Sequence, residues 1–206
     1  MLLHGSGNAV YLCGMLQHTP RIVFMASGGG SNVEAIVHHL RSKHHTFESI
    51  ILCNNPKAGI IERSRAWNID VLLFDRARFQ SPELLTWLQE YQPDLIVLAG
   101  FLWQIPATWV SAFSQKIINI HPALLPRFGG KGMYGHHIHE AVIAAGETHS
   151  GITIHYVNEH YDEGAIILQE ITPIEPGTTP EVLAKQVLAI EHHWFPRVVE
   201  DLLWTK

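Results

Sequence analysis

Residues 21–37, RIVFMASGGGSNVEAIV, are the stretch from which the fold follows. Residues 21–26 form a continuous apolar run of strand length, residues 27–32 a glycine-rich turn, and Val33 opens a helix. Strand, turn and helix start in immediate succession make the first half of a βαβ unit. They also make an anion cradle. Glycine permits positive φ and close backbone approach, and the unpaired N–H groups of a helix start, with its dipole, favour a phosphate. No Lys follows Gly30 in the frame of a P-loop, and Val33 occupies the place of the last glycine of Gly-x-Gly-x-x-Gly. A mononucleotide-like phosphate therefore fits better than a triphosphate or a dinucleotide. The alternative is a turn that serves only the chain reversal.

Outward from this unit, residues 47–53, 70–74 and 95–99 read as further strands. Residues 59–67 and 82–91 read as helices, Pro82 suiting a first helical turn. The run 95–99 is apolar throughout, as in a parallel strand covered on both faces. The alternation predicts right-handed crossovers and one α/β domain over residues 21–206: a doubly wound, mostly parallel, Rossmann-like sheet with helices on both faces. Residues 1–20 lack the basic start and clean apolar core of a secretory signal, so they are expected to be a tail, begun at a start site upstream of Met15.

The 206 residues suffice to bury a full sheet in a single domain. A hydrophobic fraction of 47% with 16% charged residues is ordinary for an enzyme, and no apolar run is long enough to span a bilayer. A net charge of -5 argues against a broad nucleic-acid face. Cys13 and Cys53 lie in unrelated contexts, so no disulfide framework is expected and the reduced cytoplasm is the default compartment. Fifteen histidines include several pairs, yet no Cys or carboxylate joins them at the spacing of a structural zinc site, and no metal is expected.

The chemistry concentrates in residues 117–127, IINIHPALLPR, and in residues 158–164, NEHYDEG. The apolar Ile117, Ile118 and Ile120 before two prolines read as a buried strand that ends in a rigid loop. Asn119 and His121, two apart, face one side of that strand at the mouth where open α/β sheets place ligands. Residues 127–135 are glycine-rich, either a lid or a solvated connector, with a helix at 137–145 behind them. Residues 151–157 alternate like a half-buried strand, with Thr153 and His155 on one face; His155 is either a satisfied core histidine or faces the substrate. Residues 165–170 and 171–174 continue as a strand and its extension, and 180–204 as a long amphipathic helix carrying Glu191.

Asn-x-His-Pro-x-Leu-Leu-Pro at 119–126, followed by Tyr161-Asp162-Glu163-Gly164, resembles the signature of the folate-dependent formyltransferases. The resemblance runs from Arg21 to the C-terminal helix. It implies a catalytic set of Asn119, His121 and Asp162, and a phosphate loop of Gly30, Ser31 and Asn32, with Glu191 on a ribonucleotide. It implies a folate site at Leu102, Trp103, Gln104 and Ile105, which would wrap the pterin, and at Asn158, Glu159, His160 and Tyr161. The co-substrate would be 10-formyltetrahydrofolate and the acceptor 5-phosphoribosylglycinamide, handled by a monomer or homodimer with no nucleic-acid or membrane partner. Residues 21–120 would then be the phosphate-binding half and 121–206 the catalytic and folate-binding half. Relatives acting on methionyl-tRNA or nucleotide sugars carry further C-terminal domains, and the hydrolases a further N-terminal one, so the small ribonucleotide type is expected here. Hydrolysis of formyltetrahydrofolate, another formyl transfer, and a non-catalytic nucleotide-binding module are the alternatives. The chain departs from the pattern at Leu102-Trp103, where Met-Arg is usual, and at Ser81-Pro82-Glu83, where Ser-Arg-Glu is usual. Which side chain meets the folate's glutamate tail is thereby left open.

In such a transfer an amine attacks a formyl carbon and the carbonyl oxygen becomes an oxyanion. The Asn119 amide and a protonated His121 would stabilise it. Asp162 is expected to raise the pKa of His121 and to relay protons through water. The absence of a Gly-x-Ser-x-Gly elbow or of a cysteine beside a base disfavours covalent catalysis.

Overall fold

The computed structural model describes residues 18–205. Residues 1–17 of the expected tail, Cys13 among them, lie outside the described residues. Residues 18–20 join the domain: His18 Nε2 meets Asp94 Oδ2 at 2.7 Å, and Pro20 O accepts the Glu48 N–H at 2.9 Å.

Seven strands form one sheet: β1 (Arg21–Ala26), β2 (Glu48–Cys53), β3 (Asp70–Leu73), β4 (Leu95–Leu98), β5 (Ile117–His121), β6 (His149–Tyr156) and β7 (Ile166–Pro173). Their order is β3-β2-β1-β4-β5-β6-β7. β1 to β5 are parallel, and β6 and β7 extend the sheet antiparallel. The doubly wound, mostly parallel sheet expected from the apolar runs is therefore present.

Period-two alternation along apolar strands supplies a core on each side. Ile22, Phe24 and Ala26 of β1 pack with α1 (Ser31–Ser42), α2 (Ile60–Trp67), α6 (His136–Ala144) and α7 (Pro180–Trp204). Val23 and Met25 pack on the opposite side with α3 (Arg76–Gln80), α4 (Pro82–Tyr91) and α5 (Ala107–Ala112). α7 is capped by Thr179, whose hydroxyl accepts the Val182 N–H, and buries Leu183, Val187, Glu191 and Phe195 at intervals of four. That spacing puts Glu191 on the packed stripe of the helix and removes it from the solvated face.

Some local expectations are corrected. α1 starts at Ser31, two residues before Val33, because left-handed Gly30 (φ 76°) ends the turn. A Cβ at Gly30 would lie 2.1 Å from Ile60 Cδ1, so the glycine answers to sterics as well as to φ. α3 and α5, each about one turn and a half, are too short for a periodic signal. β6 is buried on both faces from Ser150 to His155, whereas alternation suggested one wet face. The reason is a roof: Thr153 Oγ1 donates to Ala123 O at 2.7 Å and accepts the Leu125 N–H at 3.1 Å, which holds the 122–126 loop over the strand. β7 is one strand without a separate extension. No described helix is long and apolar enough to cross a membrane.

Because the chain winds outward from β1 to β3 and then returns to start β4 on β1's other side, the loops leaving β1 and β4 part at the sheet's carboxyl edge. Ser27 bridges them, its N–H donating to Gly100 O at 3.0 Å and its Oγ accepting the Leu102 N–H at 3.2 Å.

Candidate active site

Asn119 and His121 project from the carboxyl end of β5 to the side away from Ile118 and Ile120, which enter the α1–α7 core. In the antiparallel pair with β6, His155 lies opposite Asn119 and Thr153 opposite His121. Asp162 sits in the turn after β6 at φ 57°, a left-handed conformation that aspartate tolerates better than most residues. That turn points the carboxylate back at the strand ends. Asp162 Oδ2 is 3.5 Å from His121 Nδ1, and Oδ1 is 3.5 Å from Asn119 Nδ2 and 3.6 Å from His155 Nε2. The amide, imidazole and carboxylate singled out in the sequence are thus brought together.

The glycine-rich segment 127–135 closes over them. Gly130 donates its N–H to Asp162 Oδ2 at 2.8 Å, and His121 Nε2 lies 2.8 Å from Phe128 O. A carbonyl only accepts, so the His121 proton is assigned to Nε2 and the lone pair to Nδ1. By the same logic His155 carries its proton on Nδ1, 2.9 Å from Tyr156 O, and its Nε2 accepts the Asn119 amide at 3.2 Å. His155 therefore aims the amide of Asn119. Residues 151–157 alone left its role open, since only the β5–β6 register sets it across from Asn119.

Burial pushes the His121 pKa down, and this outweighs the upward push from the Asp162 charge and the Phe128 carbonyl; nearby His155 adds to the lowering. The expectation that Asp162 would keep His121 protonated is corrected: Asp162 acts in the expected direction, but desolvation wins. Burial pushes Asp162 itself up, yet His155, His121 and the Gly130 N–H together hold it below the usual aspartate range. The resting pair is a neutral imidazole beside an ionised carboxylate.

A cavity of about 480 Å³ opens over this trio. At one end it is lined by Asn32 and Glu191. Asn32 Nδ2 donates to Glu191 Oε2 at 2.6 Å, while Asn32 Oδ1 is buried without a donor. Burial, offset by this hydrogen bond, leaves the Glu191 pKa pushed up to about 7. Gly30, which ends the adjoining turn, and Ser31, the first residue of α1, are outside the lining. At the other end the wall is Leu102, Trp103, Gln104 and Ile105, with Asn158, His160 and Tyr161 facing them. Glu159 is outside the lining, but its carbonyl accepts the Gln104 amide at 2.8 Å and so ties the two walls together. Asn32 and Glu191 belong to helices on one face of the sheet, and Trp103 packs into the core of the other. The cavity thus crosses the carboxyl edge of the sheet, with Asn119, His121 and Asp162 between its ends.

Comparison with known proteins agrees with this geometry. Residues 20–199 match the family model described as formyl transferase. The chain is 42% identical over 190 residues to a chloroplastic phosphoribosylglycinamide formyltransferase of Vigna unguiculata, covering 88% of this chain and 60% of that one, so it spans less than two thirds of that relative. It is 35% identical to the phosphoribosylglycinamide formyltransferase of Bacillus subtilis (strain 168), covering 89% of this chain and 94% of that one. Among solved structures, phosphoribosylglycinamide formyltransferase from Bacillus halodurans superposes with a TM-score of 0.81 at 34% identity, covering 90% and 96% of the two chains. With the family model matched over nearly the whole described chain and the sheet, strap and carboxylate in place, the protein belongs to the formyl transferase family.

Proposed function

We propose that the chain transfers the formyl group of 10-formyltetrahydrofolate to the amine of 5-phosphoribosylglycinamide, a step of de novo purine synthesis, with Asn119, His121 and Asp162 as catalytic residues. The observation that carries this reading is the convergence of those three groups midway along a cavity whose ends differ in chemistry. The Asn32–Glu191 end offers acceptors: a carboxylate and an orphaned amide oxygen suit the hydroxyls of a ribose, and the cradle at Gly30 and Ser31 suits its phosphate. The aromatic end suits a pterin.

The residues divide the work as follows. The attacking amine adds to the formyl carbon, and the carbonyl electrons move onto oxygen. Asn119 Nδ2 turns one N–H toward that oxyanion while His155 retains the other. A donor of this kind is worth about 3–4 kcal/mol in the transition state. His121 Nδ1, neutral at rest, takes the proton that the amine must lose and delivers it to the departing folate nitrogen, so the proton moves from one nitrogen to the other with no net gain. Asp162, already ionised, stabilises the imidazolium in between. The 127–135 segment shields this exchange from water.

The test is release of tetrahydrofolate from 10-formyltetrahydrofolate with and without the ribonucleotide. Release that requires the ribonucleotide supports the reading. Release without it points to a hydrolase, and no release with folded protein overturns catalysis.

A further inference from the structure

We propose that Arg76 is the cation that receives the carboxylates of the folate donor's glutamate tail; this rests on the donor assigned under Proposed function. The donor's tail is a dianion at neutral pH, and a protein of net charge -5 must offer it a local positive group. Of the arginines at 21, 41, 63, 65, 127 and 197, each donates to a carboxylate or a carbonyl of the protein. Among the described residues the side chains of Arg76 and Arg78 have no such partner, and of the two it is Arg76 that lies against the cavity wall. Its guanidinium lies over the ring of Trp103, with Cζ 4.7 Å from the ring centroid.

Trp103 is a wall of the cavity, and its ring is fixed from behind. Phe79 lies 5.5 Å away, Phe74 5.9 Å away edge-on, and Phe101 6.1 Å away. The next carboxylate in sequence is otherwise engaged, since Asp75 Oδ1 caps α3 through the Arg78 N–H at 2.8 Å. A guanidinium held over a ring still has N–H groups to offer, in the fork that matches a carboxylate. Position along the cavity points the same way. The Asn32–Glu191 end is taken by the acceptor, the middle by the reacting atoms and the inner wall at 102–105 by the pterin, which leaves the rim at half-exposed Leu102, beside Trp103, for the tail. Lys131 also lines the cavity, but on the strap beside Gly130, the residue bound to Asp162 at the reacting centre.

The experiment compares 10-formyltetrahydrofolate with its tail-less analogue 10-formyltetrahydropteroate on the wild type and on Arg76→Met, Arg76→Lys and Lys131→Met. A partly exposed charge pair of this kind is worth roughly fivefold to tenfold in affinity. The wild type should therefore favour the glutamate-bearing donor by that factor in KM. Arg76→Met should abolish the preference by raising only that donor's KM, with the acceptor's KM unmoved, and Arg76→Lys should restore part of it. A merely structural role for Arg76 would weaken both donors equally and overturns the proposal, as does a preference that survives in Arg76→Met or is lost in Lys131→Met. If the wild type transfers no formyl group, the functional reading fails on its own. Calorimetric titration of tetrahydrofolate against tetrahydropteroate on the same variants then still decides Arg76: equal affinities in the wild type, or no binding of either, overturn its role.

Discussion

His121 is 4% exposed, with Asp162 Oδ2 at 3.5 Å from its imidazole and its pKa held below the ordinary histidine value by burial. A base poised in this way loses activity only when pH falls through that lowered pKa. With the acceptor saturating, kcat/KM for the donor should have an acidic limb below about pH 6.5. Asp162→Asn removes the upward push on His121, so the limb should move to still lower pH. Turnover should fall about 100-fold while ribonucleotide affinity, measured by calorimetry, stays nearly intact. Asn119→Ala should cost 100-fold to 1,000-fold in kcat with little change in either substrate's affinity. Glu191 titrates in the opposite sense for stability. Its folded pKa of about 7 lies above the ordinary 4.5, so between those values the folded protein holds a proton that the unfolded chain has released. Stability falls as pH rises through that window, and a cost of roughly 3 kcal/mol is complete above it. Glu191→Gln should therefore melt several degrees above the wild type at pH 8 by calorimetry, with the gap closing toward pH 5, and should bind the ribonucleotide less tightly.

At the scale of elements, the 127–135 strap is the piece whose backbone touches both Asp162 and His121. Gly129 is where it comes closest: a Cβ there would lie 2.5 Å from Leu125 Cδ2 and 3.2 Å from Asp162 Cβ. The leucine methyl can move aside, but Asp162 is held by its left-handed turn. Gly129→Ala should therefore displace the carboxylate and lower kcat at least tenfold while the circular dichroism spectrum is unchanged. Full activity in that variant would show that the strap does not position Asp162. The sequence made some elements legible and others not, for physical reasons. β4 announces itself because a strand covered on both faces is apolar at every position, β1 and β5 because they are apolar apart from Arg21 and from Asn119 and His121, and α7 because its Leu183–Val187–Glu191–Phe195 spacing persists for several turns. α3 is about a turn and a half, capped by Asp75, and has no period to read. Asn119 and His121 share a side by the strand's alternation alone. The partnership of His155 with Asn119, 36 residues apart, needs the register of two strands, and the pKa of His121 needs a burial that no local pattern encodes.

Across the whole molecule, the sheet separates two cores, and the cavity draws one end from each. The Asn32–Glu191 end is carried by α1 and α7, and the Trp103 end rests on Phe74, Phe79 and Phe101, packed with α3, α4 and α5. The ends share no side chain, and between them the sheet edge is held by backbone pairing that neither ligand has to rearrange. Two ligands that bind such ends should stabilise the fold independently. At a hundred times its dissociation constant each adds about 2.7 kcal/mol to the folded state, which for a chain of this size is roughly 5–10 °C in Tm. A ribonucleotide product and tetrahydrofolate, added separately and then together, should give shifts that sum. In Glu191→Gln the ribonucleotide's shift should shrink while tetrahydrofolate's persists, and in Arg76→Met the reverse should hold. A combined shift no larger than the greater single one would mean that the ligands compete for one end. The division of the cavity between the two faces of the sheet would then be wrong.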